Sequence, residues 1–229
     1  RISPHFLIIN CITEIRKTVE GIVACHPNKS ETSYDVPMAE EFHLDEIQKA
    51  IGSIYDHRYL HTKKIKSFIQ IGSSAEYGEN KSPQSENQHC LPNSPYGLAK
   101  LASTEFLLMF YNIRKFPATI LRLFQVYGPK QNSNRVLPQI ITGCLNNKKF
   151  PTSKGDQIRD FCYIDDVVNA IFLALESKKT SGEIFNIGSG KPKKIKHVIN
   201  QIRQIINKGT PQFGKIKYRK DENMEVYAN

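Results

Sequence analysis

A tyrosine and a lysine lie four residues apart in the stretch NSPYGLAK, residues 93–100. Ser94 and Pro95 are residue types that cap and begin a helix, so Tyr96 and Lys100 are predicted to project from one face of its first turns. A cation beside a phenol favours the phenolate form, and such a tyrosine can move protons to and from an alcohol. A solvated pair with no chemical role would have the same spacing.

The predicted elements around this helix decide where its side chains lie. Apolar runs predict strands at residues 5–10, 67–71, 118–124 and 183–190. Apolar residues at helical spacing predict helices at residues 43–60, 95–114, 163–177 and 195–206. Alternating strands and helices predict a parallel sheet, whose active site lies beyond the carboxyl ends of its strands. We therefore expect Ser73 or Ser74, which follow a strand, to lie close to Tyr96.

Composition and charge restrict the class of protein. The 229 residues are 39% hydrophobic and 24% charged, which is typical of a soluble globular chain with one core or two small domains. No apolar run reaches membrane-spanning length. The five cysteines form no CxxC pair, and neither they nor the histidines have metal-ligand spacing. We therefore predict reduced thiols, a cytoplasmic location and no metal.

The net charge of +10 leaves two kinds of partner open, a nucleic acid or a small polyanionic ligand. The chain has no aromatic-interleaved RNA motif and no zinc or helix-turn-helix signature. Much of this charge is therefore predicted to be solvated surface, and we expect neither nucleic acid nor a membrane as a partner.

Segments that follow one another along the chain resemble a known family: GSSAEYG, SPYGLAK, LRLFQVYGPKQ, GDQIRDFCYIDDVVNAI and EIFNIGSGKPKKI. They are similar to the extended short-chain dehydrogenase/reductases, specifically the NAD-dependent sugar-nucleotide epimerases, dehydratases and reductases, over about residues 66–229. The resemblance implies an α/β fold with a Rossmann-like parallel sheet in residues 1–129. A smaller, mainly substrate-binding domain would occupy residues 130–229, of which 160–190 would return to the Rossmann-like part. It also implies NAD or NADP as the cofactor and a nucleotide-diphosphate sugar as the substrate.

The resemblance implies a catalytic role for three residues. Tyr96 would accept the proton of a sugar hydroxyl while hydride leaves the same carbon for NAD. Ser73, four residues before Tyr77, would hydrogen-bond that oxygen. Lys100 would hold the nicotinamide ribose, so Tyr96 and Lys100 are also the predicted cofactor contacts.

The predicted substrate contacts are Ser74, Gln125, Arg159, Arg219 and Glu222. Arg159 matches an arginine of relatives that contacts the nucleotide diphosphate. Arg219 and Glu222 match a late R-x-x-[D/E] pattern that places the arginine at a phosphate and the carboxylate at the nucleotide ribose. Guanidinium groups suit a diphosphate because they donate two parallel hydrogen bonds. Gln125 stands where many relatives have Asn, and Ser74 could equally be an ordinary turn hydroxyl.

Two departures from the family pattern affect the predicted reaction. The 4,6-dehydratases have an Asp–Glu pair where this chain has Ser74 and Ala75, which favours a 4-keto-sugar reductase or an epimerase. The glycine-rich turn that seats the NAD pyrophosphate at a helix N-terminus has no counterpart, because Gly21, Gly52 and Gly72 are isolated. We interpret the chain as missing terminal segments or as remodelled at its N-terminus. A non-catalytic relative that binds nucleotide sugars or a subunit stays the alternative, and an RNA-binding relative is a third hypothesis.

The predicted helix over 95–114 carries two further expectations, and its buried face is predicted to consist of Leu98, Ala102, Phe106, Met109 and Ile113. The segment FLLMFY, residues 106–111, is apolar on more sides than one core face requires. Relatives pair through this helix, so the resemblance implies a homodimer. Glu76, beside Tyr77, is predicted to be an ordinary loop charge.

Overall fold

The computed structural model describes residues 6–9, 65–220 and 222–229. Its strands are β1 (Phe6–Ile9), β2 (Ser67–Ser73), β3 (Ala118–Leu123), β4 (Gln125–Tyr127), β5 (Lys149–Pro151), β6 (Ile158–Arg159), β7 (Phe161–Tyr163), β8 (Ile184–Ile187), β9 (Lys193–Lys194), β10 (Thr210–Gln212) and β11 (Glu225–Val226). Its helices are a 3₁₀ turn (Ser74–Glu76), α1 (Pro95–Arg114), α2 (Val136–Leu145), α3 (Ile164–Glu176) and α4 (Ile195–Ile206). The predicted helix at 43–60 lies outside the described residues.

A four-stranded sheet in the order β1–β2–β3–β8 forms the centre, and all of its neighbouring strands are parallel. This confirms the predicted α/β fold with a Rossmann-like parallel sheet. Strands β2 and β3 are almost continuously buried because helices cover both faces of the sheet. Leu107 of α1 packs against Phe68 and Ile120 on one face, and Ala174 of α3 packs against Ile69 and Leu121 on the other.

Helix α1 begins and ends where the sequence predicts. The Ser94 hydroxyl accepts the Gly97 amide at 3.1 Å, Pro95 occupies the first turn, and Lys115 ends the helix in a left-handed conformation.

The predicted buried face of α1 is wrong. Leu98, Met109 and Ile113 are exposed, whereas Ala102 and Phe106 are half-buried. The buried residues of α1 are Gly97, Lys100, Ser103, Thr104 and Leu107. The polar side chains of this set form hydrogen bonds, so the buried face of α1 is mostly polar. Its apolar stripe faces away from the sheet.

The C-terminal part has its own small core, in which Ile140 and Cys144 of α2 pack with Ile195 and Ile199 of α4. The two-stranded sheet of β5 and β10 and the three-stranded sheet β11–β6–β9 flank these helices. Cys90, Cys144 and Cys162 are buried free thiols, while Cys11 and Cys25 lie outside the described residues. Within the described part of the chain, none of the helices has the length and apolar character needed to cross a membrane.

Candidate functional site

The carboxyl end of β2 passes directly into the 3₁₀ turn, and Ser73 is the residue at this junction. The Ser73 hydroxyl oxygen accepts the Ala75 amide at 3.2 Å, and the Glu76 carboxylate accepts the Ser73 amide at 2.9 Å. These two bonds form a capping box, which fixes the serine in an extended conformation. A hydroxyl has one proton and two lone pairs, so Ser73 can still donate a hydrogen bond to a ligand.

The first turn of α1 lies against this 3₁₀ turn. A Cβ atom at Gly97 would be 2.4 Å from the Ala75 carbonyl oxygen, so only glycine permits the approach. The neighbouring Tyr96 is 46% exposed. Lys100, one helical turn later, is buried, and its Nζ donates to the Ile71 carbonyl oxygen at 2.6 Å. The backbone segments that carry Ser73, Ser74, Tyr96 and Lys100 therefore meet at the carboxyl end of β2.

Glu76 is not the ordinary loop charge that the sequence analysis predicts. It is fully buried, and its carboxylate accepts hydrogen bonds from Ser73, Thr104 and Arg122. The sequence did contain one signal for a buried carboxylate, which is Arg122 inside the apolar strand ATILRLF. A buried guanidinium requires a carboxylate partner. Thr104 also stands four residues after Lys100, on the helix face that carries the predicted chemistry.

Tyr77, beside this carboxylate, has an environment unlike that of Tyr96. It is fully buried, its hydroxyl donates to Asn186 Oδ1 at 2.7 Å, and its ring lies 4.7 Å from the Arg122 guanidinium carbon. Burial raises the pKa of the Tyr77 phenol, although Arg122 acts in the opposite direction. Tyr77 therefore stays protonated and serves the packing of this region.

A second group of predicted residues lies around β6. The backbone amide of Gln125, at the start of β4, donates to the Asp160 carbonyl oxygen at 3.0 Å, and Asp160 directly follows Arg159 in the sequence. The Arg159 Nη2 atom donates to Glu222 at 2.9 Å and to the Asn223 carbonyl oxygen at 2.7 Å. Its Nη1 atom donates to the carbonyl oxygens of Ile158 and Met224. The structure thus brings Arg159 and Glu222 together as an ion pair.

Arg219 lies three residues before Glu222, and its carbonyl oxygen accepts the Glu222 amide at 3.2 Å. Its side chain is exposed. Burial lowers the pKa of the Arg159 guanidinium, whereas the Glu222 carboxylate acts in the opposite direction. Arg159 thus has protein acceptors for both terminal nitrogens, while Arg219 is presented to solvent.

One hydrogen bond joins the two groups, because Asn223 Nδ2 donates to the Gly78 carbonyl oxygen at 2.7 Å. Gly78 follows the 3₁₀ turn of Ser73, and Asn223 follows Glu222. This bond connects the segment that follows the Ser73 turn with the segment that follows Glu222. Among the residues that the structure describes, no group of three or more His, Cys, Asp or Glu side chains could hold a metal ion.

The sequence matches proteins of known type. The family model of the NAD-dependent epimerase/dehydratase family matches residues 50–188. An uncharacterised UDP-glucose epimerase of Bacillus subtilis is 31% identical over 163 residues, which are 71% of this chain and 50% of that protein. The human dTDP-D-glucose 4,6-dehydratase is 32% identical over 148 residues, which are 64% of this chain and 42% of that protein. The chain thus spans about half the length of these curated relatives.

A solved structure shows the same arrangement of elements. The UDP-glucuronic acid 4-epimerase of Bacillus cereus, in complex with UDP-glucuronic acid and NAD, superposes with a TM-score of 0.69 and 31% identity. The match covers 82% of this chain and 62% of that chain.

Proposed function

Because the chain belongs to the NAD-dependent epimerase/dehydratase family, we propose that it acts with NAD or NADP on a sugar carbon of a nucleotide-diphosphate sugar. The observation that supports this proposal is that the backbone segments carrying Ser73, Tyr96 and Lys100 approach one another at the carboxyl end of β2. Active sites of open parallel sheets lie at that edge. The similar epimerase with bound UDP-glucuronic acid and NAD supports the same classes of substrate and cofactor.

In the proposed mechanism Tyr96, Ser73 and Lys100 each have a separate role. The phenolic oxygen of Tyr96 takes the proton of the sugar hydroxyl, and Ser73 donates a hydrogen bond to the same oxygen. NAD, when bound, supplies the acceptor for the hydride that leaves the carbon. Lys100 is the cation at this edge, and because an ammonium group only donates hydrogen bonds, it suits the hydroxyl oxygens of a ribose. Epimerisation or reduction of a 4-keto sugar is favoured over 4,6-dehydration, because Ser74 and Ala75 supply no acid–base pair.

Replacement of Tyr96 by phenylalanine tests this function. Tyr96→Phe removes the proton acceptor, so turnover with a nucleotide sugar at saturating NAD is expected to fall by about 10²–10⁴-fold. Nucleotide-sugar binding is expected to change little. Tyr111→Phe, on the same helix, is the matched control and keeps its rate.

Two outcomes would contradict the assignment. A Tyr96→Phe variant that keeps most of its rate would exclude Tyr96 as the acid–base residue. A wild-type chain that binds nucleotide sugars but converts none would favour the non-catalytic alternative.

Among the described residues, the proposed contacts of NAD are Lys100 and Tyr96, at the nicotinamide end of the cofactor. Lys100 and Tyr96 lie at the sheet edge, but the sequence before Ser73 has no glycine-rich turn that could bring backbone amides close to the pyrophosphate. We therefore predict that these 229 residues, made alone, bind NAD weakly. Calorimetric titration with NADH measures this, and a dissociation constant in the low micromolar range would show that another segment replaces the glycine turn.

We also propose that the chain forms a homodimer through α1. Leu98, Met109 and Ile113 form an apolar stripe on the side of α1 that faces away from the sheet, and burying such a stripe stabilises an interface. Light scattering at micromolar concentration is expected to give the mass of a dimer. Leu98→Lys and Ile113→Lys together are expected to give a monomer, whereas a monomeric wild type would contradict the proposal.

A further inference from the structure

We propose that Glu76 is a positioning residue, whose buried carboxylate holds Ser73 in register with the helix that carries Tyr96 and Lys100. The inference rests on the proposed function of this site. It assigns a role to a side chain that would contact neither substrate nor cofactor.

The geometry of the carboxylate is the first support. Oε1 accepts the Ser73 amide at 2.9 Å, while Oε2 accepts Thr104 Oγ1 at 2.9 Å and Arg122 Nε at 2.8 Å. The three donors come from the end of β2, from α1 and from β3. A displacement of any one of these elements therefore disturbs the hydrogen bonds of the other two.

The position of Thr104 on α1 is the second support. Tyr96, Lys100 and Thr104 are spaced four residues apart, so they lie along one side of the helix. Lys100 binds the Ile71 carbonyl oxygen at 2.6 Å, and Thr104 binds Glu76. These two bonds, one helical turn apart, fasten the helix to residues on either side of Ser73.

The cost of the arrangement is the third support. Arg122 and Glu76 form a fully buried ion pair, and Arg122 Nη1 has no hydrogen-bond acceptor among the described residues. Burying two charges is expensive, and apolar residues of similar volume would often stabilise a core as well or better. Gly72 leaves the room for this carboxylate, because a Cβ there would lie 2.6 Å from Glu76 Oε1. Because stability alone does not require this ion pair, we infer that the pair serves to hold Ser73 in place.

A pair of threonine variants tests the proposal without removing a charge. Thr104→Val deletes the hydroxyl that donates to Glu76, and Thr119→Val deletes a hydroxyl that donates to the Thr180 carbonyl oxygen. Both threonines are fully buried and both bonds are 2.9 Å long, so the two variants are matched in burial and bond length, while the Thr104 acceptor is a carboxylate and the Thr119 acceptor is a neutral carbonyl oxygen. Only the first bond reaches the Ser73 turn.

The expected result is a difference in kcat between the two variants. Thr104→Val should lower kcat about tenfold with little change in KM, because misplaced catalytic groups slow the chemical step. Thr119→Val should keep kcat, and its loss of Tm should be the smaller of the two because its lost hydrogen bond has an uncharged acceptor. Thr104→Ser keeps the hydroxyl and should recover most of the wild-type kcat. Equal kcat values for Thr104→Val and Thr119→Val would overturn the proposal.

A second measurement separates this proposal from the proposed function, since it needs no turnover. Hydrogen exchange of the Ser73 amide, followed by NMR after selective serine labelling, reports the bond to Glu76. Exchange should accelerate on the order of tenfold in Thr104→Val and stay at the wild-type rate in Thr119→Val. If the wild type converts no sugar, the proposed function fails, but this exchange pattern still supports the role of Glu76 in holding Ser73. Unchanged exchange of the Ser73 amide in Thr104→Val overturns that role.

Discussion

Two arginine–carboxylate pairs hold the candidate site together, and they differ in their exposure to water rather than in length. Arg122 and Glu76 are 2.8 Å apart, with side chains that are 2% and 0% exposed. Arg159 and Glu222 are 2.9 Å apart, with side chains that are 17% and 22% exposed. Attraction between charges grows as water is excluded, so two ion pairs of nearly equal length can differ in strength.

The surroundings of the two arginines explain their different roles. Burial by itself lowers the pKa of Arg122, but Glu76 and then Tyr77 outweigh it, so the pKa of Arg122 is raised. For Arg159, burial outweighs the Glu222 carboxylate and the pKa is lowered. The other acceptors of Arg159 among the described residues are backbone carbonyl oxygens. The first pair thus fixes the predicted catalytic turn inside the core, and the second fastens the segment after residue 221 at the surface.

Breaking the buried pair should give the largest effect. Glu76→Ala leaves the Arg122 charge buried without its carboxylate, so the free energy of unfolding should fall by about 3–5 kcal/mol. Glu222→Ala removes a partner from an arginine that has solvent access and backbone acceptors, so the loss should be about 1 kcal/mol or less. Urea unfolding of both variants measures the difference.

A Glu76→Ala chain that does not fold would agree with the expectation, and Glu76→Gln then gives the measurable comparison. The glutamine keeps an acceptor for the Ser73 amide but lacks the charge, so its loss should exceed that of Glu222→Gln. Equal losses for the two glutamine variants would show that burial does not distinguish the pairs.

Local signals in the sequence predicted much of the fold. The capping residues Ser94 and Pro95 located the start of α1, and the apolar runs located β1, β2, β3 and β8. The face of α1 was predicted wrongly, because apolar periodicity cannot tell a stripe that faces the core from one that faces outward. That choice depends on Lys100 and Thr104, whose partners lie on other elements.

The candidate site shows the same limit. The motif positions predicted that Ser73, Tyr96 and Lys100 would belong together, and the structure places their segments at one sheet edge. Glu76 was missed because its three donors come from residues 73, 104 and 122, which only the folded chain brings to one carboxylate. Arg159 was predicted to face a diphosphate, but the structure also gives it acceptors in residues 222–224, a contact that no local pattern reveals.

A smaller effect is expected when the arginines of the surface region are replaced. Both Arg159→Ala and Arg219→Ala should weaken the binding of UDP or dTDP by about 1.5–3 kcal/mol, the range of hydrogen bonds to charged groups. Calorimetry with both nucleotides measures the loss. Arg114→Ala, an exposed arginine at the end of α1, is the control and should leave affinity unchanged.

The two variants should differ in stability. This difference shows whether an arginine binds the nucleotide itself or affects nucleotide affinity by fastening a neighbouring segment. Arg159→Ala removes the hydrogen bonds that fasten residues 222–224, so it should lower both affinity and Tm. Arg219→Ala should lower affinity alone, because its side chain is exposed. If Arg159→Ala lowers Tm but keeps the wild-type affinity, Arg159 only holds the segment and the diphosphate contact is Arg219. If neither variant changes the affinity, the late R-x-x-E pattern does not mark the nucleotide site, and the Arg159–Glu222 pair only fastens the segment after residue 221.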